Sequence, residues 1–113
     1  MDQQETAEKA REALEILDRS GWCKGATTNL VDPRYPRNSH CLGGAWNLAV
    51  YESDGWKGID TPYLPLAHLI QEQYPDRGVA AEDPAAYNVT GFNDHPHTTE
   101  DDVRSILEKL AAG

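Results

Sequence analysis

Two cysteines and two histidines are the residues of this chain best suited to chemistry. Cys23 lies in GWCKGA, Cys41 opens CLGGAWNLA, and His95 and His97 flank a proline in NDHPH. Thiolate and imidazole ligands suit zinc, and four of them can close a tetrahedron. Cys23, Cys41, His95 and His97 are therefore a candidate metal set, with zinc as the candidate cofactor. The spacing lends it little support: seventeen residues separate the cysteines and there is no Cys-x2-Cys knuckle. The histidines can share one ion only if the loop between them bends. The competing reading is two small buried thiols and a pair of loop histidines.

A cysteine nucleophile activated by histidine is the second possibility, with Cys23 and His95 as the pair and Asn93 or Asp94 orienting the ring. His40 and Cys41 make a poor dyad, because consecutive residues on a helix point about 100° apart. The chain has no phosphate-binding glycine loop after a strand, no Gly-x-Ser-x-Gly elbow and no zinc-protease helix, so the sequence leans away from an enzyme. Asn93 and Asp94 also have an ordinary reading, since their side chains readily close turns on their own backbone.

The elements that must position these residues are mostly helical. Ala7, Ala10, Leu14 and Leu17, widened by Ala13 and Ile16, predict an amphipathic helix over 5–19 that stops at Ser20-Gly21. Beside the apolar stripe Glu5, Glu8, Glu12 and Glu15 form an acidic one, read either as a solvated face or as a docking surface for a basic partner. Residues 21–38 read as a long connection, in which TTNLV could be a short strand and YPRN a turn.

Ser39 is the expected N-cap of a second helix carrying Leu42, Ala45, Trp46 and Ala49 on one face. Gly43-Gly44 inside it requires that a helix, a ligand or a backbone segment come close. Thr61-Pro62 predicts a third helix reaching Tyr74, and residues 84–89 read as a single helical turn. The last helix begins at Thr98 or Thr99 and carries Val103, Ile106, Leu107 and Leu110. The fold class expected is mainly α: one compact domain over 1–113 of about four helices with long loops, and at most one or two short strands.

Composition narrows the partners. The chain of 113 residues has 19 acidic against 10 basic side chains and a net charge of -9, which disfavours direct nucleic-acid binding and anionic membrane surfaces. A basic protein partner, or less readily nucleic-acid mimicry, is compatible with it. No apolar run approaches the roughly 20 residues that span a bilayer, and MDQQETAEKAREA lacks the regions of a signal peptide. The expected location is the cytoplasm, where the cysteines stay reduced.

Together, GWCKGA after a first helix, CLGGAWNLA opening a second and GFNDHPHTTEDDV entering a last resemble an uncharacterised family of small proteins of actinobacteria and their bacteriophages. The resemblance runs from Ala10 to Leu110. It implies a bacterial or phage cytosolic setting, a mainly helical fold and no established activity. It makes Trp22, Cys23, Cys41, Asn93 and Asp94 the pattern positions, as shared core packing or as one shared pocket. Such proteins often have Trp where this chain has Phe92, and shorter loops before the Asn-Asp pair, so the segment from Asp54 to Pro84 is where a specific role can differ. The expected function is that of a small acidic accessory protein acting by protein binding through Glu5, Glu8, Glu12, Glu15 and the aromatic anchors Trp56 and Tyr63. The alternative is a metal- or thiol-dependent enzyme or ligand binder around Cys23, Cys41, Asn93, Asp94 and His95.

Overall fold

The best amphipathic run of the sequence forms α1, Gln3–Ser20. The structure is a computed structural model that describes residues 3–51, 63–77 and 85–113, apart from the side chains of Tyr51, Ala86 and Tyr87. Ala7, Ala10 and Ala13 are buried along α1, and such small side chains let a neighbouring helix approach closely. That neighbour is α5, Glu100–Ala112. The two run antiparallel: Gln3 donates to the Gly113 carbonyl at 2.8 Å and Arg11 to that of Ala111 at 2.9 Å, while Arg104 pairs with Asp18 at 2.6 Å near the other end.

Between them in sequence lie α2, Leu42–Tyr51, α3, Leu64–Gln73, and α4, Ala85–Asp94. Helix α1 packs on α2 and α5, α3 packs on α4 and α5, and α2 packs on α4. Trp46, Phe92, Leu66, Ile70 and Ile106 are fully buried where these faces meet, and each such side chain stabilises the fold by about 1.5–3 kcal/mol. No helix among the described residues is long and apolar enough to cross a membrane.

The described residues hold five helices rather than about four. The extra one is α4, expected as a single turn. Val89 and Phe92 sit three residues apart and are both fully buried, which holds the helix through Gly91 despite that residue's cost of about 1 kcal/mol. Asn93-Asp94 therefore ends a helix, and the turn follows it, closed by the Thr98 N–H on the His95 carbonyl at 3.0 Å. No strand forms among the described residues. In place of a TTNLV strand, His40 makes isolated bridges to Trp22 and Thr28. Ser39 does not cap α2, because the helix begins only at Leu42; its hydroxyl donates instead to the Pro36 carbonyl at 2.6 Å. Thr61 and Pro62 lie outside the described residues; α3 is entered at Tyr63 without a side-chain cap and with a proline in its first turn.

Of the two candidates, Thr99 caps α5. Its hydroxyl accepts the Asp102 N–H at 3.3 Å and the Asp102 carboxylate accepts the Thr99 N–H at 3.1 Å, a reciprocal capping box. The same carboxylate takes Arg77 at 2.6 Å and the Tyr74 hydroxyl at 3.4 Å, tying the end of α3 to the start of α5. Partial burial pushes its pKa up, but the bonds from Arg77 and the Thr99 N–H and the Arg77 charge outweigh it, so the net shift is downward. A carboxylate lowered in the folded state stabilises above its unfolded pKa, and the contribution disappears as pH falls through the folded value. Replacing Asp102 by Asn is expected to cost about 1–2 kcal/mol at neutral pH and to flatten part of the acid-side loss, as read from thermal melts of both proteins across acidic pH.

Candidate functional site

The long connection between α1 and α2 is a folded object. Gly21 ends α1 in the left-handed region at φ +89, and its N–H reaches the Leu17 carbonyl at 2.8 Å. The chain then doubles back. The His40 N–H donates to the Gly21 carbonyl at 3.0 Å and the Cys23 N–H to that of His40 at 3.1 Å, while the Cys41 N–H reaches Thr27 at 3.3 Å. Thr27 accounts for one of the paired glycines, since a Cβ on Gly44 would lie 2.4 Å from its carbonyl oxygen. A Cβ on Gly43 would meet only ordinary contacts, Val89 at 3.6 Å and Tyr63 at 3.7 Å. Gly44 is required by an approaching backbone.

Beneath this loop α4 delivers Asn93, which is fully buried. Its Oδ1 accepts the Trp22 indole N–H at 2.7 Å and the Leu42 N–H, first in α2, at 2.9 Å. Its Nδ2 donates to the Cys23 carbonyl at 3.0 Å and to Asp94 Oδ1 at 2.9 Å. Two donations and two acceptances use the whole capacity of the amide, so it has nothing left for a ligand. Asp94 Oδ1 also accepts the Gly25 N–H at 2.9 Å, and Lys24 donates to the His95 carbonyl at 2.7 Å. Trp22, Cys23, Cys41, Asn93 and Asp94 thus meet in one place, around a buried amide whose bonding is saturated, with Trp22 half-buried and Asp94 exposed at its edge.

The thiols belong to the same node. Cys41 Sγ accepts the Gly44 N–H at 3.2 Å, taking the capping place at the start of α2 that Ser39 was expected to hold. Cys23 Sγ donates to the carbonyls of Ala26 at 3.4 Å and Ser39 at 3.5 Å. Burial pushes the Cys41 pKa up to about 11, and burial also raises that of Cys23. Because the thiolate is the reactive form, both are poor nucleophiles and poor ligands.

The expected Cys23–His95 pair is not formed. The Cys23 thiol is committed to carbonyls, and His95 Nδ1 accepts the His97 N–H at 3.1 Å. The zinc set does not converge either: among the described residues no group of three or more His, Cys, Asp or Glu is placed to hold a metal. The reason is topological. Both thiols turn into the core, while the imidazoles stack on each other, 5.5 Å between centroids, in the turn after α4.

The surface candidates divide. Glu5, Glu8 and Glu15 are exposed, and Glu12 is half-buried with Lys9 at 3.4 Å. Tyr63 is not a surface anchor: it is only 2% exposed, because the start of α3 turns its ring inward to the core. Trp56 lies outside the described residues.

The sequence reading missed a groove of about 780 Å³ between α1, the 27–40 segment and α2. Glu12, Glu15 and Arg19 line one side, Thr28 and His40 the end, Asn47 and Leu48 the other side. His40 Nδ1 lies 2.9 Å from the Thr28 hydroxyl. Asn47, a lone amide in the apolar run LGGAWNLAV, was the signal available for it.

Truncating Asn93 to Ala strands the Leu42 N–H, the Trp22 indole and the Cys23 carbonyl, and is expected to cost about 3–5 kcal/mol in urea denaturation. Asn93→Asp should not rescue it, since the donors on Nδ2 are lost and a charge is buried beside Asp94. For the thiols, a disulfide reagent at pH 8 should label neither in the native protein and both in denaturant. Because the raised Cys41 pKa favours folding below its unfolded value, stability should also decline as pH rises from about 9 toward about 11.

No curated protein and no solved structure matches the chain. A family model matches residues 1–113, and the chain belongs to a family of unknown function, DUF6197.

Proposed function

We propose that the protein acts by binding a protein partner of basic surface along the acidic edge of α1, as a small accessory protein in the cytosol of an actinobacterial or phage-infected cell. The observation that supports this is the continuity of that edge. Glu8 and Glu15 are exposed and form no ion pair among the described residues, and the row from Glu5 leads through Glu12 and Glu15 into the mouth of the groove. Carboxylates three and four residues apart on one helix repel by about 0.2–0.5 kcal/mol per pair. Lys9 relieves only part of this repulsion. A basic partner would relieve the rest, steer association and give it a marked salt dependence.

The thiol-enzyme alternative lacks comparable support, since both cysteines are buried and their pKa values raised. Reversing the edge with Glu8→Lys and Glu15→Lys is expected to leave the melting temperature unchanged or slightly higher. It should reduce partner capture from a bacterial lysate at least tenfold. Undiminished capture by the reversed protein, or no capture together with turnover of a substrate by pure protein, would sink the reading.

A further inference from the structure

The loop over residues 29–39 is fixed more firmly than a connection needs. Asn29 Nδ2 lies 3.0–3.1 Å from the carbonyls of Asp32, Tyr35 and Pro36, which share its two N–H donors, and its Oδ1 accepts the Asp32 N–H at 2.9 Å. The loop ends are closed by the Asn29 N–H on Ser39 and the Asn38 N–H on Asn29, both at 2.7 Å. Asn38 holds a left-handed backbone at φ +67. At the tip of this frame Leu30 is 62% and Val31 91% exposed. Adjacent aliphatic side chains held outward on a loop already ordered can be buried by a partner with little further loss of conformational freedom. Arg34 and Arg37 are exposed on the same loop, in a chain whose net charge is -9; Arg34 already pairs with Asp32 at 2.8 Å, and Arg37 forms no ion pair among the described residues.

The complement of that tip lies on the same molecule. The groove between α1 and α2 has Ile16, Leu48 and Ala49 as apolar lining and Glu12, Glu15 and Arg19 as charged lining, with Glu12 paired to Lys9 at 3.4 Å and Glu15 in no ion pair among the described residues. Thr28 and Asn38, at the foot of the loop, line it too, so tip and groove are neighbours. With a two-fold axis between them, each copy's tip meets the other's groove and the assembly closes at two.

We infer that the occupant of the groove is a second copy of this chain. Leu30 and Val31 of each copy enter the groove of the other, with Arg37 facing Glu15. This rests on reading the acidic edge of α1 as a contact surface, and names what it contacts.

Sedimentation velocity of the full chain from micromolar to millimolar concentration tests it. The mass should rise from one chain to two and stop, with dissociation promoted by salt. Val31→Asp should keep the native circular dichroism and weaken association at least tenfold. Glu15→Arg should weaken it as well, and adding Arg37→Glu to Glu15→Arg should restore it. A single-chain mass at every concentration overturns the inference, as does dimerisation indifferent to Val31→Asp or growth beyond two chains. If the chain stays single while charge reversal of α1 still abolishes capture of a basic partner, the acidic-edge reading survives and the self-association alone is lost.

Discussion

One buried amide holds the rest of the structure in register. Asn93 bonds to the loop after α1 at Trp22 and Cys23, to the first N–H of α2 at Leu42, and to its own neighbour Asp94. Asn93, Cys23 and Leu42 are closed to water, so their groups would be expensive to leave unpaired. The position of α4 therefore fixes where α2 begins and how the loop lies on both. Further contacts spread from the node: Lys24 sits 5.7 Å from the Trp22 ring centroid, and Tyr35 meets Trp22 edge to face at 6.2 Å. A segment without regular structure is ordered in this way by side chains from elsewhere.

That packing also decides the chemistry. The geometry that lets Cys41 accept the Gly44 N–H, and lets Cys23 point at carbonyls, takes both sulfurs out of water and stabilises their protonated forms. Thiols in such surroundings serve as small apolar side chains with a polar edge. Among the described residues the accessible groups include carboxylates along α1, the imidazoles of His68 and His97, arginines and two aliphatic side chains on the 29–39 loop, and a groove with polar and apolar walls. These features are suited to recognition.

The sequence by itself determined the parts whose stability is local. Helix α1 was visible in the spacing of Ala7, Ala10, Ala13 and Leu17 and ended at the glycine where it was expected, because the period of an apolar stripe and a left-handed cap depend on near neighbours only. The acidic start of α5 behind Thr99 was legible for the same reason. Helix α4, the capping of α2 by Cys41 and the inward turn of Tyr63 were decided by tertiary contacts, which override weak local preferences. The bonds of Asn93 to Trp22 and Leu42 span 71 and 51 residues of chain, and no periodicity records partners so distant. The groove likewise exists only because α1 and α2 pack with a loop between them; its place was set by the close approach of Thr27 to Gly44, which the glycine permitted and the fold alone brought about.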